Sequence, residues 1–110
     1  MDFKEYQEKA HLTSKNTAIC GDKKLYPVLG LVGEAGEIAE KFKKVFRDND
    51  GKITPEFQSL IQKELGDILW YIAEICTQLG INMDDVATIN IEKLFSRLER
   101  GVIGGSGDNR

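Results

Sequence analysis

The chain has 110 residues, a net charge of −3 and an isoelectric point near 5.2. This length predicts one domain, residues 1–110, with a small core, since 41% of the residues are hydrophobic. A protein that coats DNA or RNA needs a basic surface, so the acidic balance argues against a nucleic-acid polymer as partner. No apolar run approaches the roughly 20 residues of a membrane span, and the polar N-terminus is unlike a signal peptide. We therefore expect a cytoplasmic protein that does not enter membranes.

The apolar residues recur with helical spacing, and no segment alternates apolar and polar residues over the length of a strand. The pattern predicts an all-α fold with four main helices. Thr54 followed by Pro55 is typical of a helix start, and Asn82 is typical of a helix cap. The tail 101–110 contains four glycines and is expected to be mobile. The four helices are predicted over about residues 2–15, 26–47, 55–79 and 82–100.

Two segments thirty residues apart carry nearly the same motif, GEAGEI and KELGDI. Each motif puts two acids three residues apart, on one face of a helix and about one turn from each other. Like charges at this spacing repel, which suggests that a cation lies between the two helices. Carboxylates without Cys or His suit a hard divalent ion, so the motifs predict Mg²⁺, with Mn²⁺ as an alternative. The predicted ligands, which are also the predicted catalytic residues, are Glu34, Glu37, Glu64 and Asp67.

Each acid pair borders an apolar stripe of its helix, so the acids flank the core instead of pointing into open solvent. A glycine, Gly36 or Gly66, precedes the second acid of each pair. Glycine inside a helix costs roughly 1 kcal/mol relative to alanine, which indicates that the helices approach closely there. A solvated acidic face is the alternative interpretation of the acids. The stripes consist of Leu31, Ala35, Ile38, Phe42 and Val45, and of Ile61, Leu65, Ile68, Ile72, Ile75 and Leu79.

The segments LVGEAGEIAEKFKK, ELGDILWYI and NIEKLFSR resemble the MazG-like, all-α nucleoside triphosphate pyrophosphohydrolases, over roughly residues 25–100. The motif of that superfamily is E-x-x-E, a spacer and E-x-x-D. The resemblance implies hydrolysis of (d)NTPs between the α and β phosphates, to NMP and pyrophosphate, which removes unwanted nucleotides from the pool. It also implies Mg²⁺ bound by the four acids and assembly as a homodimer or homotetramer, in which paired helices form four-helix bundles.

Residues near the acids are candidate substrate contacts. Tyr71 follows Asp67 by one turn and is placed to stack on base or sugar, although a tyrosine at the core edge is equally consistent. For Lys41 the alternative interpretation, which the spacing favours, is a salt bridge with Glu37, four residues earlier. The resemblance adds phosphate contacts from the last helix, whose alternative is a solvated face. The predicted substrate-binding residues are Lys41, Lys44, Tyr71, Asn90, Lys93 and Arg97.

Other residues are weaker candidates. His11 is a candidate base contact, and because it is the only histidine, the sequence argues against a Ser–His–Asp or Cys–His nucleophile. One of the four acids is expected to take a proton from the attacking water. Arg110 is expected to swing over an occupied site as part of a lid.

Two rival functions remain open from the sequence. One is a non-catalytic helical interaction module whose acids hold a structural cation. The other is a calcium-binding loop at 48–57, although that loop lacks ligands at the first and last positions of an EF-hand. An assay for pyrophosphate release from dNTPs in Mg²⁺ separates the enzyme from both rivals.

Overall fold

The computed structural model describes all 110 residues and contains four helices and no β-sheet, so the predicted all-α class is confirmed. The helices are α1 (Phe3–Leu12), α2 (Leu25–Asp48), α3 (Pro55–Leu79) and α4 (Met83–Glu99). Helix α1 ends three residues earlier than predicted. The Thr13 hydroxyl donates to the Ala10 carbonyl oxygen at 2.7 Å, and Asn16 has a positive φ of 51°, which a right-handed helix does not accommodate.

Side-chain caps fix the starts of α3 and α4 at the predicted residues. Thr54 Oγ1 accepts a hydrogen bond from the Phe57 N–H at 3.1 Å, and Asn82 Oδ1 accepts one from the Asp84 N–H at 2.9 Å. Caps of this kind contribute about 1 kcal/mol each. Helix α3 ends at Gly80, whose φ of 68° lies in the left-handed region that favours glycine.

Helices α2 and α3 pack against each other as an antiparallel pair, α1 packs on α3, and α4 packs on α1. Near the loop that joins α2 to α3, the rings of Phe42 and Phe57 meet edge to face with centroids 5.0 Å apart. At the opposite end of the pair, the rings of Tyr26 and Tyr71 lie 6.2 Å apart. The acid-bearing middle segments of the two helices therefore face each other.

The core of the single chain is thin. Four buried hydrophobic residues form it, all of them small or flexible: Ala10, Ala73, Cys76 and Met83. The radius of gyration is 17.0 Å, whereas a compact chain of this length has about 13 Å. Apolar faces on α2 and α4 stay exposed, and none of the helices combines the length and hydropathy that a membrane span needs.

The predicted close approach at Gly36 and Gly66 is not made within the chain. A Cβ atom built on either residue would have no neighbour within 4 Å. On α2, Gly36 follows Val32 by one turn, and Val32 belongs to the exposed apolar face of that helix. Contact at Gly36 would therefore require a second molecule.

Candidate active site

Three of the four predicted acids converge between α2 and α3. Glu34 on α2 and Glu64 and Asp67 on α3 each offer one carboxylate oxygen, and these oxygens all lie within 4.8 Å of one another. The antiparallel packing of the two helices produces this convergence, because it sets the first motif beside the second. Glu37, the fourth acid, lies outside the group and is 61% exposed.

Lys41 connects Glu37 to the three-carboxylate group. Its Nζ lies 3.0 Å from Glu64 Oε1 and 3.5 Å from Glu37 Oε2, and its side chain is 22% exposed. The hydrogen bond to Glu64 raises the pKa of Lys41, so the ammonium stays charged. The predicted salt bridge is thus present, while a phosphate contact by Lys41 stays a prediction.

The protonation of the carboxylates reflects their crowding. The pKa of Glu34 is raised, chiefly because its protonated carboxyl donates a hydrogen bond to Glu64, and further by burial and by the charge of Asp67. The pKa of Glu64 is lowered, first by its hydrogen bond with Lys41 and second by that with Glu34. A proton on Glu34 therefore relieves the repulsion between the carboxylates, and a cation bound by the same oxygens would do so more completely. The all-oxygen donor set fits a hard divalent ion.

A cavity of about 370 Å³ opens directly beside the carboxylates. This volume lies within the range of small-molecule sites. One wall is aromatic: the Trp70 and Tyr71 rings meet edge to face at 5.1 Å, and the Trp70 Nε1–H donates to Thr13 Oγ1 at 2.8 Å. The cavity thus offers negative charge on one side and aromatic surface on the other. Its lining consists of Thr13, Tyr26, Glu34, Asp67, Trp70 and Tyr71.

Tyr71 was predicted from its spacing to Asp67, whereas Thr13, Tyr26 and Trp70 were not identified from the sequence. Trp70 is the only tryptophan in the chain and is adjacent to Tyr71, which was an available signal. The sequence offered no such signal for Tyr26 and Thr13, because they reach the cavity only through the packing of α1 and α2 on α3. The sequence therefore identified the acidic side of the cavity better than the aromatic side.

The basic residues predicted on α4 are paired with the tail. Lys93 Nζ and Arg97 Nη2 lie 3.0 Å and 3.2 Å from Asp108 Oδ1. These two ion pairs lower the pKa of Asp108, with the hydrogen bond from Lys93 as the larger cause. Asn90, the third predicted residue of α4, is exposed.

The cavity lining does not include Lys44, His11 or the loop considered for calcium. Lys44 is exposed, in the electrostatic field of Glu40 and Asp48 on its own helix. His11 Nδ1 lies 3.1 Å from Oε1 of the buried Glu74, on the α1–α3 contact. In the loop considered for calcium, Asp48 is held by two hydrogen bonds from the Arg47 guanidinium.

Arg110 holds the tail in a folded arrangement. Its guanidinium donates to the carbonyl oxygens of Val102, Ile103 and Gly107, at 3.1, 3.3 and 2.6 Å. These bonds close the tail on itself after the end of α4. Asp108 of this folded tail contacts the predicted phosphate-binding residues Lys93 and Arg97. A swing of Arg110 over an occupied site stays a prediction.

Comparison with known proteins agrees with the all-α fold. The model of the MazG nucleotide pyrophosphohydrolase domain matches residues 24–102. The chain is 55% identical over 85 residues to the Gene 37 protein of Mycobacterium phage L5, a span that covers 77% of this chain and 75% of the phage protein. No solved structure gave a significant match. Because the matched segment contains α2, α3 and α4 with both acid pairs, the chain belongs to the MazG nucleotide pyrophosphohydrolase domain family.

Proposed function

We propose that this protein hydrolyses nucleoside triphosphates, and dNTPs in particular, to NMP and pyrophosphate in the presence of Mg²⁺. Membership of the family supports a nucleotide pyrophosphohydrolase, and enzymes of the family are generally dependent on a divalent cation. The observation that carries the proposal is the position of the aromatic cavity directly beside the three-carboxylate group. A nucleotide needs both features, because its base is aromatic and its triphosphate approaches carboxylates only through cations.

Glu34, Glu64 and Asp67 are the residues that would hold Mg²⁺. Mg²⁺ held there would neutralise phosphate charge and would lower the pKa of a water molecule bound to it. The carboxylates of the chain keep their positions because two helices fix them, so little reorganisation is needed when substrate binds. The aromatic wall excludes water from one side of the cavity and orients the nucleoside.

Glu37 is the acid best suited to act as general base. It lies on the same helix as Glu34 but outside the convergent group, and its side chain is 61% exposed. An acid that is not engaged in ligation can accept a proton from the attacking water. Lys41 contacts both Glu37 and Glu64, so it links the base to the carboxylate group.

The products distinguish this function from other nucleotide hydrolases. Incubation with a dNTP and Mg²⁺ is expected to yield NMP and pyrophosphate in one step, because attack occurs at the α phosphorus. Chromatography of the products, with a screen of the eight common NTPs and dNTPs, checks both the reaction and the preferred substrate. NDP and orthophosphate would contradict the proposed register of the phosphates, and absence of turnover would favour a non-catalytic module.

We further propose that the working form is a homodimer or homotetramer. The accessible surface of the chain is 7807 Å², whereas a compact monomer of 12.3 kDa has about 6,100 Å². The excess of about 1,700 Å² per chain matches an obligate interface of roughly 3,400 Å² in total. Two apolar faces supply this surface: Leu25, Val28, Leu29 and Val32 on α2, and Ile91, Phe95 and Leu98 on α4.

Light scattering at micromolar concentration is expected to report a dimer or a tetramer. Val32 is 68% exposed and Leu98 is 57% exposed, so a charge at either position costs little within one chain. Val32→Glu and Leu98→Glu should therefore weaken assembly only where the substituted face is buried between subunits. A stable wild-type monomer would contradict the proposal, and comparison of the two variants identifies the face.

A further inference from the structure

Gly30 of α2 lies directly under the ring of Tyr71. A Cβ atom built on Gly30 would overlap Cε1 and Cζ of that ring and would lie 2.7 Å from its Cδ1. Real Cβ atoms do not approach ring carbons so closely, so any other residue at this position would displace the ring. Gly33, one turn further along the same helix, has no neighbour within 4 Å of its built Cβ.

The Tyr71 ring is held by contacts on its other sides as well. The Tyr26 ring lies 6.2 Å from it, tilted by 55°, and the Trp70 ring lies 5.1 Å from it at 89°. The backbone of α2 at Gly30 and these two rings surround Tyr71, which lies in the wall of the cavity that also contains Glu34 and Asp67. The distance from this ring to the carboxylates therefore depends on the absence of a side chain at residue 30.

We propose that Gly30 is a positioning residue: it seats Tyr71 so that the ring contacts the nucleoside while the phosphates lie at the carboxylates. This inference rests on the proposed nucleotide function. Stacking of a base on an aromatic ring typically contributes enough binding energy that loss of the ring weakens binding about ten-fold or more. Displacement of the ring should consequently act on substrate binding more than on the chemical step.

The test compares Gly30→Ala with Gly33→Ala in the full-length protein. Alanine favours a helix interior over glycine, so both changes are intrinsically favourable to α2, and only Gly30→Ala meets Tyr71. Gly30→Ala is expected to raise KM about ten-fold with little change in kcat. It should also shift the emission of Trp70, the only tryptophan, whose ring touches Tyr71. Gly33→Ala should change neither quantity.

A double variant distinguishes a specific effect of Gly30 on the position of the Tyr71 ring from a general packing defect. Removal of the ring by Tyr71→Ala abolishes the clash, so Gly30→Ala combined with Tyr71→Ala should match Tyr71→Ala alone. If Gly30→Ala fails to fold, recovery of folding in the double variant supports the proposal that Gly30 positions Tyr71. Failure to recover overturns that proposal. Wild-type emission and KM in Gly30→Ala, or additive losses in the double variant, would also overturn it.

The fluorescence and folding results do not depend on catalysis. A wild-type protein that releases no pyrophosphate would defeat the proposed function. An emission shift confined to Gly30→Ala would in that case still support the contact between Gly30 and Tyr71. The two failures are therefore distinguishable.

Discussion

Asp67→Asn is expected to abolish pyrophosphate release and to weaken Mg²⁺ binding, while the helices stay folded. Asp67 is the most exposed of the three convergent acids, so its replacement disturbs the core least. Loss of one carboxylate leaves two ligand residues for the cation, and the turnover number should fall by roughly a hundred-fold or more. The metal-free protein should be slightly more stable, because a repulsive charge has been removed. Calorimetric titration with Mg²⁺, thermal unfolding and the pyrophosphate assay measure the three effects.

Glu37→Gln separates catalysis from metal binding. Glu37 lies outside the three-carboxylate group, so the variant should keep its affinity for Mg²⁺ and lose turnover. Glu40→Gln on the same helix is the matched control, since Glu40 pairs with Lys43 and contacts none of the convergent acids. Near-normal turnover of Glu37→Gln in saturating Mg²⁺ would remove Glu37 from the site. Loss of both properties would instead make it a fourth ligand.

The acid motifs could be predicted from the sequence because their spacing and the helical period together decide which face they occupy. The antiparallel packing of the two helices then brings Glu34 to Asp67. The direction of an exposed side chain does not follow from spacing, so the position of Glu37 outside the three-carboxylate group was not predictable. Its salt bridge with Lys41 was predicted, because the two residues are four apart on one helix. Helix boundaries were predicted well where a cap is strong, as at Thr54, and less well where α1 ends.

The aromatic cavity was only partly predictable because it depends on long-range packing. Tyr71 and Trp70 are neighbours in sequence, but the approach of Tyr26 follows from the contact of α2 with α3. The two glycines expected to mark close helix contact, Gly36 and Gly66, do not make it within the chain. The close contact occurs instead at Gly30, where a ring and not a helix is the neighbour. A glycine within a helical sequence can indicate that another group lies close to the helix, but it does not identify that group.

Lys93→Ala is expected to weaken activity by roughly ten- to a thousand-fold, because its ammonium would bind phosphate oxygens that the metal leaves uncovered. Lys93 is 37% exposed and its partner Asp108 is 82% exposed, so the substitution should leave the fold intact. The loss should be measured in kcat and KM separately, since a positive charge near the leaving pyrophosphate also stabilises the transition state. Arg97 is expected to have an effect of similar size.

Arg97 needs a conservative variant because its side chain is only 5% exposed and its Nε is buried without a hydrogen-bond partner. Arg97→Lys keeps the charge and most of the volume, so the stability of the protein should change little. Its activity should fall, because lysine cannot form the same paired contacts.

Asp108→Asn tests Lys93 and Arg97 through the carboxylate with which both of them pair. The Asp108 carboxylate pairs with Lys93 and Arg97 and competes with phosphate for them, so its neutralisation should lower KM. Wild-type kinetics in all three variants would mean that this face of α4 only anchors the tail, and that the phosphates are bound by Lys41, Lys44 or a neighbouring subunit.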